Sequence, residues 1–423
     1  MTEKLLHFIW QFQYFNKQQL FTESGEPLQV LKQGYCNTNQ GPDFLEASIK
    51  IGNITLVGNI ELHIHASDWY RHQHAKDTNY ANIILHVVWH NDKPVMDTNA
   101  RALPTLVLQN RVAKLMLQRY EQLMGSNSVI LCKNFLPALS EIAWLSWKER
   151  LVAERLEAKS TYVLQLYRES NHHWEETFWW LLAGNFGMKV NTSFFETMAK
   201  TISMNILAKH KSQIHQLEAI LLGQGNLLAG EFEESYPQLL QREYRLYQQK
   251  YKLVALNAKP AFLRMRPAAF PTVRLAQLAM LVKESSHLFS KIKSMQQLHE
   301  VKQLLNVTAN DYWHYHYRFD ELTDYKPKNI GSQMIGNILI NTIVPVLFAY
   351  GLYNKEEQYK EKAIHWLTGL AAEQNTITGI WKDVGIENRN AFDSQSLIQL
   401  TNNYCRQKKC LECAVGNKLL KTG

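Results

Sequence analysis

Carboxylate and imidazole side chains gather in one early stretch of the sequence, between Gly34 and Asp92. Of the 16 histidines, seven lie before residue 91, and six of those fall between residues 63 and 90. Two acids stand among them: Asp43 follows a glycine–proline pair, and Glu61 lies two residues before His63. Such groups around short strands are typical of a metal-dependent hydrolase, in which a bound ion activates water.

The two acids suit the cleavage of phosphodiester bonds. That reaction needs hard oxygen ligands for Mg²⁺ or Mn²⁺ and a group that stabilises developing charge. Strand alternation puts Glu61 and His63 on one face, and a hairpin brings Asp43 alongside. We predict that Asp43 and Glu61 hold Mg²⁺ or Mn²⁺ and that His63 acts with them in catalysis. The alternatives are a turn-capping role for Asp43 and an exposed strand position for Glu61.

Further polar residues follow the same stretch, and we expect them to support the acids or contact substrate. They are Asn37, Asn39, His65, His72, His74, Asp77 and His86. Asn37 and Asn39 could also hold the loop that presents Asp43. A His-x-His pair with a third histidine and a carboxylate also suits Zn²⁺ or Fe²⁺, in an enzyme acting on a small molecule. The simplest alternative is a set of hydrogen-bonded structural histidines.

A second group of possible metal ligands lies near the C-terminus. Cys405, Cys410 and Cys413 have the spacing C-x4-C-x2-C. Three thiolates do not complete a four-ligand site, and Cys132 or Cys36 could supply the fourth, with Cys132 preferred. The expectation is an iron–sulfur cluster or Zn²⁺, and the alternative is free thiols beside a packed helix end.

Hydrophobic periodicity predicts the elements that position these residues. They are a helix (5–15), three strands (28–35, 44–51 and 54–65), a helix or loop (67–81), a strand (83–89) and a further strand (105–109). The second and third strands form a hairpin around Gly52 and Asn53. The nearly continuous apolar run from Ile83 to Trp89 predicts a central strand that is covered on both faces.

After about Leu136 the pattern becomes helical. The predicted helices cover 140–167, 174–185, 192–222, 231–253, 272–289, 295–305, 331–352, 356–372 and 394–405. The fold class is therefore α+β. We expect an α/β domain over residues 1–135 and a mainly α-helical domain over residues 136–423, which ends in the cysteine cluster.

The N-terminal part resembles the PD-(D/E)xK nuclease superfamily, through Pro42-Asp43 and, eighteen residues after Asp43, Glu61-Leu62-His63. The resemblance implies a restriction-endonuclease-like core of helix, three strands, helix and strand. It also implies metal binding by Asp43 and Glu61, with a lysine two positions after the second acid. His63 stands at that lysine position, and Lys76 is a candidate for a displaced cation. Several nucleases of the superfamily bind an iron–sulfur cluster through one upstream and three downstream cysteines, and the cysteines here are similar in number but not in spacing.

Nearly the whole chain also resembles an uncharacterised bacterial family, domain of unknown function 2851. The matching motifs are Asn37–Phe44, Gly58–His63, Ser67–His74, Asp77 with Tyr80, Asn82–Val88, Arg264–Pro267, Asn341–Pro345, Asp393–Gln395 and Tyr404–Cys413. This resemblance implies no activity, so the prediction of a nuclease depends on the short motif and the strand order.

Charge is unevenly distributed along the chain. The net charge is +8, yet the residues up to Ile130 contain eleven basic and eleven acidic side chains, so the excess lies entirely in the remainder. A basic region next to an acid-containing site suits a polyanion such as nucleic acid. The alternatives are a basic protein without such a partner and a catalytically silent scaffold that binds nucleic acid or protein.

The sequence also indicates the cellular compartment in which the protein is expected. Five cysteines in 423 residues do not form a disulfide framework, and no secretory signal follows Met1, so we expect a reducing cytoplasm. The apolar run 335–353 is long enough to cross a bilayer, but it contains Asn337, Asn341 and Pro345. We predict a buried core helix, kinked or ended near Pro345, and no membrane partner.

Overall fold

The computed structural model describes residues 1–97, 100–263, 266–285 and 287–421. The chain divides into two compact units, Met1–Trp144 with Leu400–Gly423, and Leu145–Gln399. The first unit contains a mixed β-sheet and the second is helical, which makes the fold α+β. The C-terminal cysteine segment, which the sequence predicts in the helical domain, lies in the first unit.

The described residues form one six-stranded sheet. Its strands are β1 (Leu28–Lys32), β2 (Tyr35–Cys36), β3 (Phe44–Ile51), β4 (Ile54–His65), β5 (Ile83–His90) and β6 (Thr105–Val107). The order is β1-β3-β4-β5-β6, and β2 also pairs with β3. Strand β4 pairs antiparallel with β3 and parallel with β5, which in turn runs parallel to β6. Strand β4 is therefore an interior strand between neighbours of opposite direction.

In the sequence, one α-helix precedes the strands, a second lies between β4 and β5, and the others follow β6. The α-helices are α1 (Glu3–Gln11), α2 (Asp68–Arg71), α3 (Lys114–Gly125), α4 (Glu141–Glu169), α5 (Trp174–Phe186), α6 (Met188–Lys200), α7 (Met204–His210), α8 (Ile214–Gln224), α9 (Ser235–Tyr251), α10 (Pro271–Glu284), α11 (Leu288–Ser294), α12 (Leu298–Leu305), α13 (Ser332–Ile338), α14 (Val344–Asn354), α15 (Glu357–Thr368), α16 (Thr376–Asp383), α17 (Ala391–Leu400) and α18 (Ala414–Lys421).

The hairpin of β3 and β4 confirms the predicted strand bounds and turn. Ile51 pairs with Ile54 across the turn, and Phe44 pairs with Ile60 at the open end. The next strand approaches closely because Gly58 has no side chain: a Cβ there would lie 2.6 Å from the carbonyl oxygen of Asn82. The sheet therefore requires glycine at this point of β4.

The connection from β4 to β5 carries several of the predicted site residues. It contains α2 and two 3-10 turns, His74–Lys76 and Thr78–Tyr80. Trp69 and Tyr80 from this connection pack in a buried cluster with Ile83 and Val88 of β5. Strand β5 is buried over all but its last residue, as predicted for a central strand.

Both ends of the chain contribute helices to the first unit. Helix α1 packs against β4 and is shorter than predicted, because the chain leaves helical geometry at Gln13, where φ is 55°. Helix α18 packs against α3, where the Arg119 guanidinium donates to the carbonyl of Leu419 at 2.9 Å. The Tyr14 hydroxyl donates to Asn417 Oδ1 at 2.8 Å. These contacts explain why the C-terminal segment belongs to this unit.

The helical unit has one large apolar core, and α4 and α5 confirm the predicted helices there. The prediction of one continuous helix over residues 192–222 was wrong, because the chain forms α6, α7 and α8. Ser203 starts α7 by accepting a hydrogen bond from the Ile206 N–H, and Glu176 accepts one from the Met204 N–H. These side-chain caps favour a new helix start over continuation.

By length and composition, one helix in the described residues could cross a membrane, Ser332–Asn354, and 72% of its most apolar window is buried inside the protein. It consists of α13, a π-helical turn at Leu339–Ile343 and α14. Pro345 lies in the first turn of α14. The irregularity predicted near this proline is therefore the π-helical turn that precedes it.

Candidate metal centre

The paired strands β3 and β4 bring Asp43 beside Glu61. The backbone N–H of Asp43 donates to Glu61 Oε2 at 3.0 Å, and the N–H of Leu62 donates to Asp43 Oδ2 at 2.9 Å. Glu61 is buried, and Asp43 is partly exposed. The predicted neighbourhood of the two acids is present, and each carboxylate is oriented by a backbone donor of the other strand.

The loop before Asp43 is held by Asn37. Its side-chain amide donates to the carbonyls of Pro42 at 2.9 Å and Gln40 at 3.3 Å, and its Oδ1 accepts the Asn39 N–H at 2.9 Å. The Asn37 N–H also donates to the carbonyl of Asp43. Asn37 therefore shapes the loop that presents Asp43, and the side chain of Asn39 faces solvent.

Two histidines lie near the other oxygen of Glu61, and a third lies beside one of them. Glu61 Oε1 lies 3.3 Å from His74 Nε2 and 3.7 Å from His63 Nε2. His63 Nε2 lies 3.2 Å from His72 Nδ1. One nitrogen from each of His63, His72 and His74 lies within 4.8 Å of the other two. His63 and His74 are buried and His72 is exposed, so the group opens to solvent on one side.

Some of these donor atoms are spaced as the ligands of a single metal ion are. Zn–N bonds of 2.0–2.1 Å in a tetrahedral site put ligand nitrogens about 3.3 Å apart. The contacts His63–His72, His74–Glu61 and His63–Glu61, at 3.2, 3.3 and 3.7 Å, are close to that value, and the three histidine nitrogens lie within 4.8 Å of one another. His74 Nε2 is buried and makes an ion-pair contact with Glu61 Oε1, outside full hydrogen-bond geometry. A cation at this point would satisfy both atoms, since buried polar groups need a partner.

His86 extends the group from the neighbouring strand. It lies opposite Glu61 in the β4–β5 register, and its Nε2 lies 2.8 Å from His63 Nδ1. With a proton on His63 Nδ1, that contact leaves His63 Nε2 as a lone pair directed at Glu61 Oε1 and His72. The His86 Nδ1 atom is buried without a hydrogen-bond partner, and the ring lies 5.6 Å from that of Trp69. His86 thus fixes the orientation of His63, as outer partners of metal ligands commonly do.

The electrostatics keep the imidazoles of His63 and His86 neutral. Burial, and then the neighbouring charges of His86, His74, His72 and Arg71, lower the pKa of His63 to about 2. Burial, with a smaller effect of His74, lowers the pKa of His86 to about 3. Burial raises the pKa of Glu61, His74 opposes that shift, and Asp43 adds to it. Neutral imidazoles are the form that binds metals, and a cation would stabilise the buried Glu61 carboxylate.

His7 belongs to the site but was missed in the sequence analysis. Its Nε2 lies 3.2 Å from Asp43 Oδ2. Burial alone would lower the pKa of His7, but the hydrogen bond and charge of Asp43 outweigh it, and the pKa is raised. His7 lies on α1, 36 positions before Asp43, and no spacing motif links the two. Its packing on β4 is a tertiary contact that sequence periodicity does not reveal.

Three predicted residues lie away from the histidine group. His65 is exposed at the end of β4, where its ring stacks on His90 at 5.5 Å. Asp77 Oδ1 accepts the Asn79 N–H at 2.9 Å and caps a 3-10 turn. Lys76 is exposed, and no described contact ties it to the acids. The cysteines form none of the group either: Cys36 is exposed on β2, whereas Cys132, Cys410 and Cys413 are buried and Cys405 is half-buried.

Comparison with known proteins gives one match. A family model described as "Protein of unknown function (DUF2851)" matches residues 3–376. No curated protein and no solved structure was found to match the chain.

Proposed function

The chain belongs to the DUF2851 family, whose description carries no activity, and from the geometry of the site we propose that the protein is a divalent-metal-dependent hydrolase that cleaves phosphodiester bonds. In this proposal Glu61, His63, His72 and His74 hold the ion. The observation that carries it is the buried His74 ring: its Nε2 lies 3.3 Å from Glu61 Oε1, and one of its nitrogens lies within 4.8 Å of a nitrogen of His63 and of His72.

The ligand set selects the kind of ion. Mg²⁺ and Mn²⁺, the two ions expected from the sequence, favour oxygen ligands, whereas imidazole nitrogen suits Zn²⁺ or Fe²⁺. Three imidazoles and one carboxylate therefore favour Zn²⁺ or Fe²⁺ in this proposal. Asp43 then acts as a positioning residue, since its N–H fixes Glu61 Oε2 and leaves Oε1 for the metal. The exposed side at His72 is where a metal-bound water would meet a substrate.

Two observations support a phosphodiester substrate. The first unit has one acid next to the start of β3 and a second acid on the antiparallel strand β4, followed by a helical connection and the parallel strand β5. This order is the one expected of a restriction-endonuclease-like core, and we propose this fold type for the first unit. The net charge of +8 favours a polyanionic substrate. A metal at this site would lower the pKa of a bound water and supply a hydroxide near neutral pH.

Metal analysis followed by nuclease assays tests the proposal. The purified protein is measured for bound metals, then stripped and reloaded with Zn²⁺, Mn²⁺, Fe²⁺ or Mg²⁺ before incubation with DNA and RNA substrates. We expect one transition-metal ion at this site and cleavage that His74→Ala and Glu61→Gln abolish. His65→Ala is the matched control, because His65 lies on the same strand but stacks on His90 outside the group.

A second candidate is favoured by the three imidazoles: a metal enzyme that acts on a small molecule. Metal bound through His63 and His74, with no cleavage of any nucleic acid, would favour that candidate over a nuclease. Absence of metal, with salt-sensitive DNA binding and no turnover, would instead indicate a non-catalytic scaffold.

A further inference from the structure

Helix α4 carries a stripe of three basic side chains in the helical unit. Lys148, Arg155 and Lys159 are separated by seven and four positions, so they lie on one face of the helix. The first is neutralised, because the Lys148 ammonium lies 2.7 Å from Asp393 Oδ1 and both side chains are largely buried. The other two contact carboxamides instead and form no ion pair within the part of the chain that the structure describes. Positive charge is therefore in excess at this end of the stripe.

Arg155 is held in place by an amide of α17. Its Nε–H donates to Gln395 Oε1 at 2.6 Å, and the Gln395 side chain is buried. The Gln395 amide nitrogen donates in turn to the Glu373 carboxylate, which fixes the end of the amide that faces Arg155. The two Nη groups of the guanidinium have no hydrogen-bond partner among the described residues. A guanidinium that is oriented on one edge and free on its other nitrogens is suited to bind an oxyanion.

Lys159 contacts only a neutral group. Its ammonium donates at 3.0 Å to Asn341 Oδ1, in the π-helical turn between α13 and α14. Such turns within helices are frequent at functional sites. Burial, and then the charge of Arg155, lower the pKa of Lys159 to about 7, whereas Glu373 opposes the shift. A bound anion would supply the counter-charge that this half-buried amine lacks.

A cavity of about 820 Å³ adjoins this cluster. Glu373, which accepts the Gln395 amide, lines the cavity, and so does Ile340, the residue before Asn341. Most of the other lining residues are aliphatic or carry carboxamides, and they come from the end of α12, from α13 and from the segment before α16. This size and composition are typical of a site for a small molecule.

We propose that Arg155, Lys159 and Asn341 bind a tetrahedral oxyanion of the phosphate type in the helical unit. Two cations and the free amide nitrogen of Asn341 match an ion that accepts hydrogen bonds through several oxygens, whereas a carboxylate offers only two. The cavity leaves room for the organic part of a phosphate ester. The site lies wholly within the helical unit and does not depend on the proposed metal centre.

Calorimetric titration of the full-length protein with sulfate tests this site, since sulfate has the shape of phosphate and keeps its charge near neutral pH. We expect saturable binding that Lys159→Met and Arg155→Gln each weaken about 10- to 100-fold below pH 7, because each removes a charge-assisted hydrogen bond. Arg168→Gln is the matched control, since Arg168 is exposed on the opposite side of α4. His74→Ala should also keep sulfate binding, so failure of the histidine site and failure of this site are distinguishable.

The pH dependence identifies Lys159 as the titrating group. The ammonium form binds the anion, so sulfate affinity should fall about tenfold per pH unit above pH 7, and Lys159→Met should lack this dependence. The charged groups around Lys159 are Arg155 on its own helix, Glu373 before α16 and Asp393 of α17, which Lys148 neutralises. Glu373→Gln should keep the dependence.

A labelling experiment keeps the test valid if the variants do not fold. In the native wild-type protein, sulfate should slow the acetylation of Lys159 by acetic anhydride and leave that of the exposed Lys76 unchanged, as peptide mass spectrometry measures. Sulfate that protects Lys159 no more than Lys76, or an affinity that neither substitution lowers, would overturn the proposal. Acetate that binds as tightly as sulfate would contradict the choice of a tetrahedral oxyanion.

Discussion

Two buried glutamates, one in each unit, show what distinguishes a candidate site from a core. Glu61 of β4 lies among imidazole nitrogens and carries an oxygen near His74 Nε2. Glu218 of α8 is fully buried, and its Oε2 accepts hydrogen bonds from Trp313 Nε1 at 2.9 Å and the Tyr236 hydroxyl at 2.8 Å. Burial raises the pKa of both. The two carboxyl groups differ in their neighbours: imidazole nitrogens lie beside Glu61, and aromatic side chains donate hydrogen bonds to Glu218.

A buried acid with a raised pKa therefore does not by itself mark a functional site. A protonated Glu218 can remain in an apolar core with its two donors, and no metal-binding side chain is among its described hydrogen-bond partners. Glu61 differs because its neighbours include imidazole nitrogens, which can bind a metal ion together with the carboxylate.

Removing His74 should have the largest effect at the site. We expect His74→Ala to weaken metal binding by roughly 100-fold or more, because a buried ligand is lost. Metal titration followed by calorimetry measures this change. A folded variant that binds metal with wild-type affinity would show that the histidines are structural. The same substitution at His65 provides the control.

Glu218 should make the stability of the protein depend on pH. Burial raises the pKa of Glu218 from 4.5 to about 7, although the Trp313 and Tyr236 donors oppose the shift. Since the folded state then keeps its proton to higher pH than the unfolded state, stability from this group is greatest below pH 4.5 and is lost as pH rises towards 7. Linkage gives a loss of about 2 kcal/mol between pH 5.5 and 8.

Denaturant unfolding at several pH values measures the slope of the unfolding free energy against pH in the wild type and in Glu218→Gln. The glutamine variant should lack the part of the pH dependence that this group causes. An equal slope in both proteins would contradict the assignment. Loss of metal from the site in β4 should leave the slope unchanged, which keeps the two glutamates separate.

His86 should have a smaller effect than His74, because it contacts a ligand rather than the ion. We expect His86→Phe to weaken metal binding about 10-fold, since His63 loses the partner that fixes its ring. The substitution retains an aromatic ring beside Trp69. An effect as large as that of His74→Ala would indicate that His86 is itself a ligand.

His65 should have the smallest effect. Its ring is exposed and stacks on His90, so His65→Ala should change metal affinity and stability by less than about 0.5 kcal/mol. The same titration and unfolding measurements apply. A large loss of metal would show that His65 is a ligand. The ligands would then include the His-x-His pair on one face of β4, as one of the sequence-based alternatives predicts.

Much of the sheet could be predicted from sequence, because its signals are local. Strict alternation over residues 44–51 and the turn at Gly52 and Asn53 predicted β3 and β4 with their observed bounds. The apolar run from Ile83 predicted a buried central strand. The same alternation placed Glu61 and His63 together, and both are buried near Asp43.

The rest of the site depends on tertiary contacts. His74 reaches Glu61 and His72 reaches His63 through an irregular connection, in which Gln73 has φ of 62°, and no periodicity predicts that path. The functional distinction between His63 and His65, which strand alternation treats as equivalent, arises because only His63 lies in the buried part of β4. Helix α18 and its place beside α3 were likewise missed, since short helices give weak periodic signals.

The position of β4 between an antiparallel and a parallel neighbour also makes the site depend on two different strand pairings. The hairpin of β3 and β4 places Asp43 beside Glu61. The parallel pairing of β4 with β5 places His86 beside His63, and the crossover between these strands carries His72 and His74. An ion that needs Glu61 and the imidazoles would therefore bind only a chain in which both pairings have formed, so metal binding would report on the integrity of the whole sheet.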